Sequence, residues 1–154
     1  LIGLPQDSLR MKIGEDLGAD YLIYTTDDPV KRIMELTKNN GAPLIIDTVG
    51  GASTTIDHAL EMVRPGGQIT KVGWFMKTTN TSMDTLVRKG IRLQGSFSHT
   101  HNMWQECINL IASGKINVKK MISQVLPLED WREGFELGFK REALKVILKP
   151  NENE

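Results

Sequence analysis

A single cysteine, Cys107, occurs in the sequence. That excludes an internal disulfide framework and any multi-cysteine zinc site. An excess of charge is missing too: 19 Lys and Arg balance 19 Asp and Glu, for a formal net charge of +0. No broad electrostatic footprint for nucleic acid or an anionic membrane exists, so neither is an expected partner. No apolar run approaches the roughly 20 residues needed to span a bilayer. The opening "LIGLPQD" has no Met, no basic region and no cleavage pattern. It is therefore not read as a signal peptide, and a cytoplasmic setting is expected. It reads as a strand entered near its end, and the chain reads as a piece of something longer. No G-x-G-x-x-G follows a strand anywhere.

What is present suits a soluble globular protein: 154 residues, 40% hydrophobic and 25% charged. That length suggests one domain, residues 1–150, closed by the polar tail "NENE" at 151–154. The pattern alternates. After Leu1–Gly3, Asp7 or Ser8 can cap a short helix that Gly18 stops. "YLIY" (21–24) is a short apolar strand. Asp28 can cap the next helix, Pro29 sits in its first turn, and Gly41 ends it. "PLIIDTV" (43–49) is a continuous apolar run, as in a parallel strand buried on both faces. Ile56, Ala59, Leu60 and Val63 then share a helical face, and "QITKVGW" is the next strand. Strands alternating with helices mean βαβ units and a parallel sheet.

Within "EMVRPGGQITKVGW" two glycine features differ in meaning. Pro65-Gly66-Gly67 follows a helix and precedes a strand. A phosphate cradle needs the reverse order, because the helix N-terminus supplies the free N–H groups. The Pro-Gly-Gly is thus a corner. Gly73 lies at the carboxyl end of a parallel strand, where ligands of open α/β sheets bind, and its missing Cβ would let a ligand approach the backbone. "VGGAS" has the strand–glycine–helix order without the full dinucleotide fingerprint.

Past residue 80, "TSMDTLVRKG" alternates as a strand would, and "IRLQGSFS" is another strand. Trp104, Cys107, Ile108 and Ile111 share one face of a helix ending at Gly114. Trp131, Phe135 and Phe139 share a face of another. "ALKVILKP" is a final strand stopped by Pro150. Cys107, Trp104 and Trp131 are expected in the core. Asp47 is expected to bond neighbouring backbone N–H groups. His58, His99 and His101 form no metal-ligand cluster with Cys107.

The set "LGAD", "IIDTVGG", "ALEMVRPGGQITKVG", "GSF", "LIASGKI", "PLEDWREGFE" and "ALKVILKP" resembles the medium-chain dehydrogenase/reductase superfamily. The likeness points to its zinc-dependent alcohol, sorbitol and threonine dehydrogenase branch. The resemblance implies an α/β fold: a partial doubly wound parallel sheet (Rossmann fold) lacking its first strand and glycine-rich turn. It implies an NAD(P)-dependent oxidoreductase passing hydride between NAD or NADP and an alcohol or carbonyl. The zinc would lie in an N-terminal catalytic domain that this chain does not contain. No catalytic or metal-ligating residue is expected here, and the chain alone is expected to be inactive.

Carried over by resemblance, Gly3 falls where NAD-preferring relatives place an acid against the adenosine ribose. A glycine there does not repel a 2′-phosphate and leans slightly to NADP; Arg10 lies downstream. Thr48 and Val49 match the strand end against the adenosine half. Val72, Gly73 and Trp74 match the segment passing the nicotinamide, and Ser96 and Phe97 the backbone at its carboxamide. Lys145 matches a basic position reaching the pyrophosphate. The resemblance also implies a homo-oligomer paired through an edge strand at 81–88. A zinc-free quinone oxidoreductase or enoyl reductase of the same superfamily, and a non-catalytic nucleotide-binding or interaction module, remain open alternatives.

Overall fold

The structure is a computed structural model, and it describes residues 1–51, 54–74, 76, 78 and 80–150. The tail expected at 151–154 lies outside the described residues. Two compact units emerge: Leu1–Thr26 with the chain from His99 onward, and Asp27–Ser98. No helix among the described residues is long and apolar enough to cross a membrane.

The second unit carries the alternation most clearly. Helix α2 (Pro29–Leu36) starts where expected. The Asp28 side chain accepts from the Lys31 N–H, and Pro29 occupies the first turn, where its missing N–H costs nothing. Strand β3 (Ala42–Asp47), helix α3 (Thr54–Met62), strand β4 (Val63–Lys71), helix α4 (Asp84–Lys89) and strand β5 (Arg92–Gly95) follow. The three strands form one parallel sheet in the order β3-β4-β5. Its core joins Ile56, Ala59 and Leu60 of α3 to Val63 and Ile69 of β4 and to Ile91. The expected helical face supplies four of these six residues, with Val63 already the first residue of β4.

Pro65-Gly66-Gly67 is no corner between helix and strand, because β4 begins at Val63 directly after α3. The three residues are an irregularity inside the strand, where the β3–β4 register jumps from Ala42↔Val63 to Leu44↔Gln68. And residues 81–88 are not a strand. Asp84–Lys89 is helical, with an acid in the first turn, Arg88 and Lys89 in the last, and Gly90 in the left-handed conformation at its end. Those charges complement the helix dipole, a signal that outweighs the apolar alternation of the segment.

Of the run 43–49, residues 43–47 lie in β3 and 48–49 follow its end, and the strand is not buried on both faces. Among the described residues β3 terminates its sheet, and Leu44 and Ile46 are 50% and 60% exposed while Ile45 packs on the core.

The first unit holds two further parallel pairs. β1 (Ile2–Gly3) pairs with β2 (Ile23–Tyr24), flanked by α1 (Ser8–Asp16), whose Met11 is buried. β6 (Ile122–Pro127), which the sequence reading missed, pairs with β7 (Lys145–Lys149). Helix α6 (Trp131–Phe139) lies on that pair through Gly134. A Cβ there would come 3.1 Å from Val146 Cγ1. Helix α5 (His101–Ala112) is capped by the Thr100 hydroxyl and buries none of its residues. Trp104, Ile108 and Ile111 are exposed, as are Cys107 and, on α6, Trp131. The core placement expected for Cys107, Trp104 and Trp131 is therefore wrong. Helical spacing fixes which residues share a face, and the described residues of this unit leave these faces open.

Candidate functional site

In the second unit, seven of the expected site residues converge at the carboxyl ends of its three strands. Thr48 and Val49 follow β3, Val72, Gly73 and Trp74 follow β4, and Ser96 and Phe97 follow β5. A parallel sheet makes this convergence automatic, since all carboxyl ends lie on one edge.

The crossing of β3 and β4 at that edge is tight. The Asp47 carbonyl oxygen accepts the N–H groups of Val72 (2.8 Å) and Gly73 (3.1 Å), and the Trp74 carbonyl oxygen accepts the Gly51 N–H (2.8 Å). A Cβ on Gly73 would collide with the Val49 carbonyl and lie 2.7 Å from the Thr48 carbonyl carbon. Glycine is thus required by the approach of two backbones, a reason the sequence reading did not find. Substituting it breaks the crossing and does not selectively probe a ligand.

Asp47 does what was expected of it, and more. Its Oδ1 accepts the Val49 N–H at 3.0 Å. Its Oδ2 accepts from the Thr55 hydroxyl at 2.9 Å and from the Lys71 ammonium at 2.8 Å. Lys71 escaped the sequence reading. The signal lay in the register that sets it opposite Asp47, 24 residues away in the chain.

Beyond the crossing stand two exposed rings. Trp74 and Phe97 are 59% and 75% exposed, with centroids 5.1 Å apart and planes tilted by 34°. Val49, Val72 and Met76 are exposed on the same stretches. An apolar surface at the ligand-binding edge of a parallel sheet offers a face to a flat ring.

Gly3 and Lys145 belong to the first unit. Gly3 ends β1, and a Cβ there would meet the Met11 sulfur at 2.5 Å, so glycine packs on that flexible side chain. Arg10 lies 3.7 Å from Asp7, in a surface ion pair. Lys145 begins β7 and borders an apolar groove of about 460 Å³ with Phe135 and Phe139. Among the described residues, no three His, Cys, Asp or Glu side chains group as a metal site. These described residues do not fit a zinc ion.

Known proteins share both the sequence and the shape. The profile of the zinc-binding dehydrogenase family matches residues 2–113. The zinc-type alcohol dehydrogenase-like protein YdjL of Escherichia coli (strain K12) is 31% identical over 96% of this chain and 42% of its own length. D-arabitol-phosphate dehydrogenase of Enterococcus avium is 30% identical over 100% of this chain and 44% of its own. The solved alcohol dehydrogenase TADH from Thermus sp. ATN1 superposes with a TM-score of 0.85 at 30% identity, over 97% of this chain and 44% of that one. The chain thus spans less than half the length of the relatives it matches. The expected α/β fold with parallel sheets is the fold these enzymes share.

Proposed function

This chain belongs to the zinc-binding dehydrogenase family, and from that premise we propose that it is the nicotinamide-binding part of an NAD(P)-dependent alcohol or polyol dehydrogenase. The names of two relatives, an alcohol dehydrogenase and a D-arabitol-phosphate dehydrogenase, support that substrate class. Hydride would pass between C4 of the nicotinamide and the carbon bearing the alcohol or carbonyl oxygen.

The observation that carries this reading is the exposed pair Trp74 and Phe97, at the ends of adjacent parallel strands. When bound, the cofactor supplies the two-electron acceptor or donor. What this chain's residues supply is a surface. The rings of Trp74 and Phe97 and the side chains of Val49 and Val72 cover one face of a planar ring and shield it from water. Gly73 keeps the two strand ends close enough to form one continuous floor. Such a surface contributes orientation and water exclusion, with no proton transfer asked of it.

Saturation-transfer NMR with NADH tests the reading. Irradiating the aromatic protons of the 154-residue chain should transfer saturation to the nicotinamide ring protons, and unlabelled NAD should compete. Transfer only to the adenine protons, or none, would overturn the placement of the nicotinamide at this edge.

A further inference from the structure

The carboxyl ends of all three strands in the second unit meet on one side chain and its own main chain. The Lys71 carbonyl oxygen accepts the Ser96 N–H at 2.9 Å, just past β5. The Lys71 ammonium donates to Asp47 Oδ2 at 2.8 Å and to the Val49 carbonyl oxygen at 2.8 Å, just past β3. The Lys71 and Asp47 side chains are 14% and 5% exposed. The Val49 carbonyl lies beyond the last β3–β4 ladder pair, Asp47↔Lys71, and among the described residues no ladder hydrogen bond reaches it. That carbonyl closes against Gly73, next to Trp74.

We propose that Lys71 is a positioning residue for the ligand-facing edge: its bonds to Asp47 and to the Val49 carbonyl oxygen hold the Thr48–Gly50 backbone against Gly73 and so fix where Trp74 and Phe97 stand. The proposal rests on the cofactor reading above. The physical case is one of alternatives. An apolar side chain at this position would fill the same space without the cost of drawing an ammonium out of water. Only a long donor can reach past the end of a neighbouring strand and bind a carbonyl that the ladder leaves loose. A site whose supporting bonds are fixed before the ligand arrives spends less of its binding energy on ordering. Lys71 touches no reacting atom in this scheme and acts only through Val49, Gly73 and Trp74.

Amide hydrogen exchange on Lys71→Met, followed by NMR, separates positioning from plain stability. The Gly51, Val72 and Gly73 amides, which close the crossing, should exchange at least tenfold faster. The Ile69 and Thr70 amides, inside the central strand, should keep their wild-type rates. Uniform acceleration across β4, or no change at Gly51 and Gly73, overturns the proposal. If Lys71→Met fails to fold because Asp47 is left bare, the double variant Asp47→Asn, Lys71→Met removes the buried charge and keeps the acceptor for the Val49 N–H. The selective loss should persist there. Its disappearance would mean that Lys71 serves only to neutralise Asp47. Affinity for NADH, compared at equal fraction folded, should fall at least tenfold in both variants. Loosened strand ends with unchanged affinity overturn the positioning role. Absence of NADH binding by the wild type overturns the cofactor reading itself, and the exchange pattern then supports or overturns the hold of Lys71 on the strand ends by the same criteria.

Discussion

The Lys89 ammonium, carried by the last turn of α4, lies 2.8 Å from the Leu60 carbonyl oxygen at the end of α3. It also reaches the carbonyl oxygens of Glu61 (2.8 Å) and Val63 (2.9 Å). A helix leaves its last carbonyls without partners, and one lysine from a neighbouring helix takes up three in this region. The charge also sits at the negative end of the α3 dipole. The same contact draws the ammonium out of water, and this burial is the main cause that pushes its pKa down. Glu61 opposes the shift and Arg88 adds to it.

Lys89→Met should destabilise the fold near neutral pH because it takes this donor away from the Leu60, Glu61 and Val63 carbonyl oxygens, a loss of about 1 kcal/mol on the scale of a protein hydrogen bond. The pH dependence has a definite sign. Between the lowered folded value and the ordinary lysine value of about 10.4, the folded state gives up its proton first and the unfolded chain binds more. Stability in the wild type should rise with pH across that window relative to Lys89→Met. Urea unfolding of both proteins at a series of alkaline pH values measures the difference. A wild-type advantage that falls through the window would contradict the burial of this group.

Two glycines only seven residues apart should respond differently to alanine. A Cβ at Gly66 meets nothing within 4 Å, and only its φ of +68° opposes a side chain. Gly66→Ala should cost about 1–2 kcal/mol, the price of a left-handed conformation. At Gly73 the obstacle is the backbone of Thr48 and Val49. Gly73→Ala should cost well beyond the roughly 1–3 kcal/mol of ordinary overpacking, because no rotamer change relieves it. Thermal unfolding of the two variants side by side is the check, and equal losses would mean the strand crossing is looser than its geometry.

Phe97 offers the complementary case. Its ring is exposed and packs on Trp74 alone among the aromatic side chains described. Phe97→Ala should lower stability by no more than about 1 kcal/mol, the scale of one aromatic pair. Its affinity for NADH should nevertheless fall at least tenfold if the ring edge receives the nicotinamide. Urea unfolding reads the stability and calorimetric titration the affinity, on one sample set. A large loss of stability with unchanged affinity would reverse the assignment of this ring from binding surface to packing.

The contrast among these sites shows what the sequence could express. Asp28, Pro29 and the face Ile56, Ala59 and Leu60 were legible because each signal is local: a cap, a fixed φ, a helical period. The convergence of Val49, Gly73 and Phe97 on one edge was legible from βαβ alternation and from the family resemblance. The Asp47–Lys71 pair was not, since it exists only once the β3–β4 register is known. The reason for Gly73 was hidden in the same register. Residues 84–89 carry two signals: Met83, Thr85 and Val87 alternate like a strand, while Asp84 in the first turn and Arg88 and Lys89 in the last have the charge order of a short helix, which is what forms. Exposure at Leu44 and Ile46 could not be read either. An apolar run tells that a strand seeks burial, and not whether a neighbouring strand supplies it.

That last mismatch yields a prediction about association. Among the described residues, β3 is paired on one side only, with β4. Its free side presents strand backbone, and Leu44 and Ile46 add half-exposed apolar side chains to one face of the same strand. Natural edge strands are blunted by lysines, bulges or proline. Here Pro43 blocks one N–H near the start of β3, and no charge interrupts Leu44–Ile46. Parallel or antiparallel pairing with another strand would satisfy the edge and cover the two side chains together, at a gain of roughly 1.5–3 kcal/mol for each one fully buried. The 154-residue chain should thus show concentration-dependent association in sedimentation experiments. Ile46→Lys places a charge on the exposed face without touching Ile45 or the core, and it should shift the chain toward monomer with little change in unfolding midpoint. Association that survives Ile46→Lys unchanged would move the contact elsewhere, to the open apolar faces of α5 or α6, where Ile108→Lys and Phe139→Lys would then be the substitutions that dissolve it.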